Sequence, residues 1–340
     1  MLRDGDCAAR LAGALAGAER LVLLGDVVEL RDGPLRDALA AASRVLPALS
    51  EALGGAREVV IVPGNHDHHL LSAWLARRAA AGPPPPLGLD SEVDWVSGEP
   101  LAAIATALPG ARLEVRYPGV WLRDDVYATH GHYLDRHTTV PMFERLGAGA
   151  MARLVDRPPA AMRSAEDYQA VLAPIYAWLH AVAQGRVAAG GRGGSSTRVW
   201  QSLGRGRARG GLRRRGLALG VRAAIAAINR AGLGPLRSDL SVSELRRAGL
   251  RAFGDVLGAL AIGSPYAIFG HTHRAGPLPT DDLSEWLAPA GPRVFNSGCW
   301  VHEPAFLGPR PHQSPYRAGF CVQLEDAGAP RLVNLLDGQV

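Results

Sequence analysis

The chain has 340 residues, of which 47% are hydrophobic and 20% charged, with a formal net charge of +5. That length and apolar content support a packed core and exclude a disordered chain. Three cysteines, Cys7, Cys299 and Cys321, lie far apart with no C-x-x-C pair, which argues against a disulfide scaffold and fits a reducing compartment. No apolar run reaches the roughly 18 residues of a membrane span, and the N-terminus lacks the apolar core of a secretory signal; a cytoplasmic location is expected.

Helix and strand alternate through the first half. Ala8–Ala18 is Ala/Leu-rich and helical, and Leu21–Leu24 is a short apolar run ending at Gly25-Asp26, the pattern of a strand buried on both faces. Asp37–Leu53 returns to helical spacing in spite of Pro47. Glu58–Val62 is a second buried strand, stopped by Pro63-Gly64, and Leu70–Ala80 is helical before the Pro83–Pro86 breaker. Then come three short strands, Leu113–Tyr117, Val120–Leu122 and Val126–Thr129, separated by turn residues at Pro118-Gly119 and Asp124-Asp125. Residues 140–262 read as a mostly helical insert within one domain spanning 1–340, with a Gly/Arg/Ser-rich, flexible composition at about 186–216. Ser241-Val-Ser-Glu244 is a capping box for a helix reaching about Leu260. Tyr266–Phe269 is a strand running into Gly270-His271, and Val294–Asn296, Phe320–Leu324 and Arg331–Leu335 are closing strands.

The charge is unevenly spread. There is no lysine, so all 37 basic residues are arginine, and 15 of them face two acids between Arg186 and Arg251. The rest of the chain is mildly acidic. Ten arginines without an acid between Arg186 and Arg222 suit a solvated linker or an anionic membrane surface, with Leu217–Ile228 as a small basic amphipathic helix. Nucleic acid is disfavoured, because only Trp200 interleaves an aromatic ring.

Four strand ends share one grammar: an apolar strand, then glycine and a metal-type ligand. They are Leu24-Gly25-Asp26, Val62-Pro63-Gly64-Asn65-His66-Asp67, Ala128-Thr129-His130-Gly131-His132 and Phe269-Gly270-His271-Thr272-His273. Loops at the carboxyl ends of strands in open α/β sheets converge on ligands. A mix of Asp, Asn and His suits Mn, Fe, Zn or Ni and argues against calcium or a thiolate site.

These residues resemble the calcineurin-like metallophosphoesterases, whose pattern runs D-x-H, G-D-x-x-D, G-N-H-[D/E], a later H, then G-H-x-H. The matching positions are Gly25-Asp26-Val27-Val28-Glu29, Gly64-Asn65-His66-Asp67, His130, and Gly270-His271-Thr272-His273, with Asn296-Ser297-Gly298-Cys299-Trp300 similar to the closing N-[ST]-G-x-W segment. The resemblance implies a four-layer α/β/β/α sandwich carrying the helical, Arg/Gly-rich insert. It also implies two divalent metal ions, manganese foremost, bridged by Asp26. Asn65, His130 and His271 would complete one site, and His273 would belong to the other. His66, oriented by Asp67, would protonate the leaving group. The implied reaction is hydrolysis of a phosphate ester or pyrophosphate by a metal-bridging hydroxide, on a phosphorylated small-molecule or lipid-linked substrate; the basic insert, read from its composition alone, adds the expectation of a peripheral position at the inner membrane surface as the alternative to a solvated linker. His132 is a candidate for touching substrate and Arg136 for holding a phosphate. His68 and His69 are expected to be exposed residues at a helix start.

Two departures stand out. Glu29 replaces the usual Asp, a form similar to the branch acting on UDP-diacylglucosamine, and is expected to stand behind the ligands rather than among them. The D-x-H motif is absent: His66 is the first histidine, and only Met1, Leu2 and Arg3 precede Asp4. One expectation is a start assigned downstream of the true one. The alternative is a degenerate, metal-binding member acting as a non-catalytic interaction module.

Overall fold

A computed structural model describes residues 5–31, 33–54, 57–82, 84–139, 143–154, 161–188, 225–230, 236, 241–302 and 304–337. The Arg/Gly-rich stretch at 186–216 lies almost wholly outside the described residues, as does most of Leu217–Ile228. The elements in order are α1 (Gly5–Leu15), β1 (Arg20–Leu23), α2 (Leu35–Ala52), β2 (Glu58–Ile61), α3 (Ser72–Ala80), β3 (Asp90–Glu92), α4 (Pro100–Thr106), β4 (Arg112–Arg123) and β5 (Val126–Thr129). They continue with α5 (Phe143–Leu154), α6 (Ala165–Ala188), α7 (Val242–Ala259), β6 (Tyr266–Phe269), β7 (Arg293–Asn296), β8 (Phe320–Gln323) and β9 (Arg331–Asn334). Short 3-10 turns at His68–Leu71 and His132–Arg136 follow two of the loops described below.

The result is a curled, mixed α/β sheet with helices packed on it. Hydrogen-bonded neighbours run β1-β2-β4-β5-β6-β7, with β3 added to β4, and β8-β9 forms a separate hairpin. The long β4 links the two halves. Its start pairs in parallel with β2, its middle antiparallel with β3, and its end antiparallel with β5. Two separate strands were expected here, divided by a turn at Pro118-Gly119. Instead the strand runs through, and the glycine serves close approach: a Cβ at Gly119 would lie 2.5 Å from the Ala128 carbonyl oxygen. β1 also departs from expectation. Among the described residues it pairs only with β2 and is half-buried, because an edge strand has one flank without a neighbour.

Side-chain alternation along the strands builds two cores. Val59 and Ile61 of β2, Tyr127 of β5, and Ala267 and Phe269 of β6 join the large cluster with helix residues such as Leu46, Leu49, Leu101 and Phe253. The intervening Val60, Val62, Val126, Ala128 and Ile268 gather in a smaller cluster, against which Val22, Leu24, Phe295 and Val322 pack. One face of the curled sheet therefore carries helices. The other closes on strand residues from both halves and the β8-β9 hairpin.

Within 140–262 every described element is helical. At α7 the N-cap bond of the expected capping box forms, with Ser241 Oγ accepting from the Glu244 amide at 3.3 Å. Among the described residues no helix is long and apolar enough to cross a membrane. Phe253 of α7 is fully buried and stacks on Phe269 with ring centroids 4.1 Å apart. Phe269 is the last residue before Gly270-His271, so α7 props the loop that follows. Phe253→Ala should cost about 3–5 kcal/mol, read as a lowered urea midpoint at unchanged m-value.

Candidate functional site

The loops after β1, β2, β5 and β6 each deliver one acceptor atom to the same place. Asp26 Oδ2 lies 3.3 Å from His130 Nε2. Asn65 Oδ1 lies 3.2 Å from that same nitrogen and 3.2 Å from His271 Nδ1. The far side of each imidazole is anchored on an acceptor. His130 Nδ1 is 2.9 Å from the Leu24 carbonyl, and His271 Nε2 is 2.8 Å from the Asp135 carboxylate. A ring nitrogen facing such an acceptor carries the proton, so the two near nitrogens present lone pairs when the rings are neutral.

With both rings neutral, two oxygens and two nitrogens converge with no proton among them. One positive charge between them resolves the repulsion, either a proton on His130 or a cation. The separations fit a cation: bonds of about 2.1 Å at roughly tetrahedral to octahedral angles place donors about 3.0–3.4 Å apart. Counting only His, Cys, Asp and Glu, no group of three among the described residues is placed to hold a metal ion. The Asn65 amide is the donor that joins His130 to His271.

The backbone bears the mark of this convergence. Asp26, His271 and His273 have φ of 53°, 60° and 60°, and among the described residues only Ala261 is another non-glycine with positive φ. Such conformations cost about 1–2 kcal/mol each and persist where the surroundings impose them. Gly25, at φ 84°, and Gly64 are required by space: a Cβ on Gly25 would run into the His130 ring, and one on Gly64 would meet Asp26 Oδ1 at 2.5 Å.

Hydrogen bonds fasten the loops to one another. Asp67 accepts from the Val27 and Gly64 amides at 2.7 and 2.6 Å, and Asp26 Oδ1 accepts from the His66 amide at 2.9 Å. The Gly270 amide donates to the His130 carbonyl at 2.9 Å. Asn296 donates to the Gly270 carbonyl at 3.0 Å and to Thr272 Oγ1 at 2.8 Å, which gives the closing Asn-Ser-Gly segment a physical role as a strut for the histidine loop.

His66 sits beside the cluster, but its partner is not the expected Asp67. Both Asp67 oxygens are taken by backbone amides, and Glu29 Oε2 reaches His66 Nδ1 at 2.6 Å. Burial opposes a charge on His66, yet the Asp26 and Glu29 carboxylates outweigh it and raise its pKa to about 9. Burial likewise works against charge on Asp26, but His130 and His66 hold its carboxyl well below the usual range. Burial and then Asp26 push Asp67 up to about 6. His273 is held down to about 4 by burial, against the pull of Asp26; that charge reaches it, so it belongs to the same neighbourhood.

Three other expectations change. His132 is only 1% exposed, packed between His130, Tyr117 and Tyr176, so it shapes a wall instead of meeting a ligand at the surface. Arg136 is likewise buried, at 3% exposed. His68 is buried, not exposed: its Nε2 meets Gln169, which accepts from Tyr117 O–H at 2.7 Å. The residues that sequence reading passed over are Asp135, behind His271, and Gln169. Asp135 lies five positions after His130, but nothing local marks it as the partner of a histidine 136 residues away.

Comparison with protein-family models, with curated protein sequences and with solved structures finds no match to this chain.

The histidines predict a pH profile for the metal-free protein. His68 and His273, both near 4 when folded, contribute stability above the unfolded value of about 6.5 and lose it as pH falls towards 4. Asp67 works the opposite way below pH 6 but is outnumbered. His66 contributes fully below 6.5 and loses its contribution as pH rises through 9. Urea unfolding in chelator should therefore show maximal stability near pH 6.5. His68→Leu should remove roughly 3 kcal/mol of the acid-side loss; an unchanged acid limb would refute the assignment.

Proposed function

We propose that this protein is a metal-dependent phosphoesterase of the calcineurin-like kind, hydrolysing a phosphate ester or phosphoanhydride. The observation that carries the reading is the convergence of Asp26, Asn65, His130 and His271, each imidazole anchored on its far nitrogen by an acceptor. This donor set suits Mn, Fe, Zn or Ni, and the anchoring of both rings is the usual support of metal-bound histidines. The two cores on opposite faces of the curled sheet support a four-layer α/β/β/α arrangement.

The chemistry such a cation supplies when bound is charge neutralisation at the phosphoryl oxygens and acidification of water. The chain's own residues account for the proton. His66, charged at neutral pH, has Nδ1 on Glu29 and therefore offers Nε2–H to the departing oxygen. Glu29 fixes the ring and sustains its charge. Asp67 contributes indirectly, by holding the loops that carry Asp26 and His66 in register.

A second reading has its own observation. For a second cation, only Asp26 and His273 stand out among the described residues, and two protein ligands hold a divalent ion weakly. A one-metal protein without turnover would be a metal-stabilised binding module.

Manganese titration and hydrolysis of bis-p-nitrophenyl phosphate separate the two. Wild type should bind manganese and turn over; Asp26→Ala should lose both together. Tight binding with no turnover would leave the module. Glu29→Gln should keep metal affinity, lower kcat by roughly 10- to 100-fold and move the alkaline limb of the rate profile to lower pH, because one of the charges that raise the His66 pKa is gone. An unmoved alkaline limb would remove Glu29 from the proton path.

A further inference from the structure

The turn His68–Leu71 and helix α3 face α6 across an open cleft of about 420 Å³, within the size range of small-molecule sites. The room comes from α6, where Ala170, Ala173, Pro174 and Ala177 present almost no side chain opposite Leu75. Among the described residues no Asp, Glu, Lys or Arg lines the cleft. Its polar part is formed by Gln169, whose amide is engaged by Tyr117 and His68, and by His69 and Ser72, which bond each other at 3.0 Å. Burial holds His68 neutral, with its pKa down to about 4.

The cleft adjoins the candidate site. His68 follows His66 and Asp67 directly, and the buried His132 touches both sides. Its ring lies 5.7 Å from that of His130 and 5.7 Å from that of Tyr176, a cleft residue. An uncharged, mostly apolar wall beside a charge-demanding site suits a molecule with the same division.

We propose that the cleft between α6 and the His68–Leu71 turn binds the uncharged, apolar arm of a phosphoester substrate, an alkyl, acyl or aryl group, while its phosphate lies at the Asp26 cluster. This assignment rests on the phosphoesterase reading for its phosphate end, and the cleft itself is testable without it. A charged arm such as a second phosphate is disfavoured, since the described lining offers it no Lys or Arg.

Binding is measured first on the full chain in chelator, with N-phenyl-1-naphthylamine, a neutral fluorescent probe, displaced by 1-decanol. Saturable binding is expected, weakened at least tenfold in Ala173→Asp and Ala170→Asp. Ala170 is exposed, so that variant keeps the test free of core disruption. Leu283→Ser, at another exposed apolar residue, should leave affinity unchanged. Absent binding, or affinity in both Asp variants equal to that of the wild type, overturns the cleft. Turnover is measured next with manganese. Decyl p-nitrophenyl phosphate should exceed methyl p-nitrophenyl phosphate at least tenfold in kcat/KM, and Ala170→Asp should erase that preference. Equal turnover of both esters overturns the apolar-arm assignment while the phosphoesterase reading stands. Probe binding as expected with neither ester hydrolysed overturns the phosphoesterase reading and leaves the cleft as an apolar-ligand site.

Discussion

Lone pairs that meet in a buried space need a positive charge between them, and that requirement organises this protein. Asp26, Asn65, His130 and His271 come from four strands spread across the chain, and each imidazole is turned so that its lone pair points inward. The proton-bearing side of each ring is fixed by something remote: the Leu24 carbonyl for His130, Asp135 for His271. An imidazole left to itself would choose either tautomer. Here the choice is made by residues that take no part in the cluster, and it leaves the inner atoms as acceptors.

Holding such a cluster costs free energy, and the surrounding structure offsets it. Three left-handed residues together cost several kcal/mol at about 1–2 each. Against this, Asp67 ties two loops with two amide–carboxylate bonds, and hydrogen bonds to charged groups contribute roughly 1.5–3 kcal/mol apiece. Asn296 does the same for the His271–His273 loop with its amide. Below the loops, the stacking of Phe253 on Phe269 and the run of β4 through Gly119 fix where the strand ends lie. Strain at the cluster is thus balanced by bonds just behind it, where they do not compete for the inner lone pairs.

What was legible in the sequence is what depends on near neighbours. Buried strands announced themselves as apolar runs stopped by glycine, and the capping box at Ser241 needed only four residues to be read. The four converging loops were visible because each carries the same grammar of strand, glycine and polar side chain. What was not legible depends on which distant segments meet. Glu29 rather than Asp67 reaches His66 because the loop after β1 folds over the loop after β2, and Asp67 is already saturated by backbone. His68 looked like the start of an exposed helix, yet α6 covers it. The Pro118-Gly119 pair reads locally as a turn, and only the closeness of Ala128 shows that the glycine is there for spacing.

His132 shows how these levels join. It stands two residues after His130, so the backbone that places a cluster histidine also places this ring. Burial, then the nearby His130, His68 and His271, press it well below the ordinary histidine range, so it is neutral while it separates the two compartments. On one side lies a cluster that demands positive charge; on the other lies a cleft whose apolar part is alanine, proline and leucine. A charged residue in that position would carry the field of the cluster into the cleft and cost it its apolar character. A purely aliphatic one would lose the contact with the Tyr117 hydroxyl, the same hydroxyl that donates to Gln169 at the polar end of the cleft. A neutral imidazole satisfies both sides, which ties the shape of the cleft to the chemistry of the cluster through a single residue.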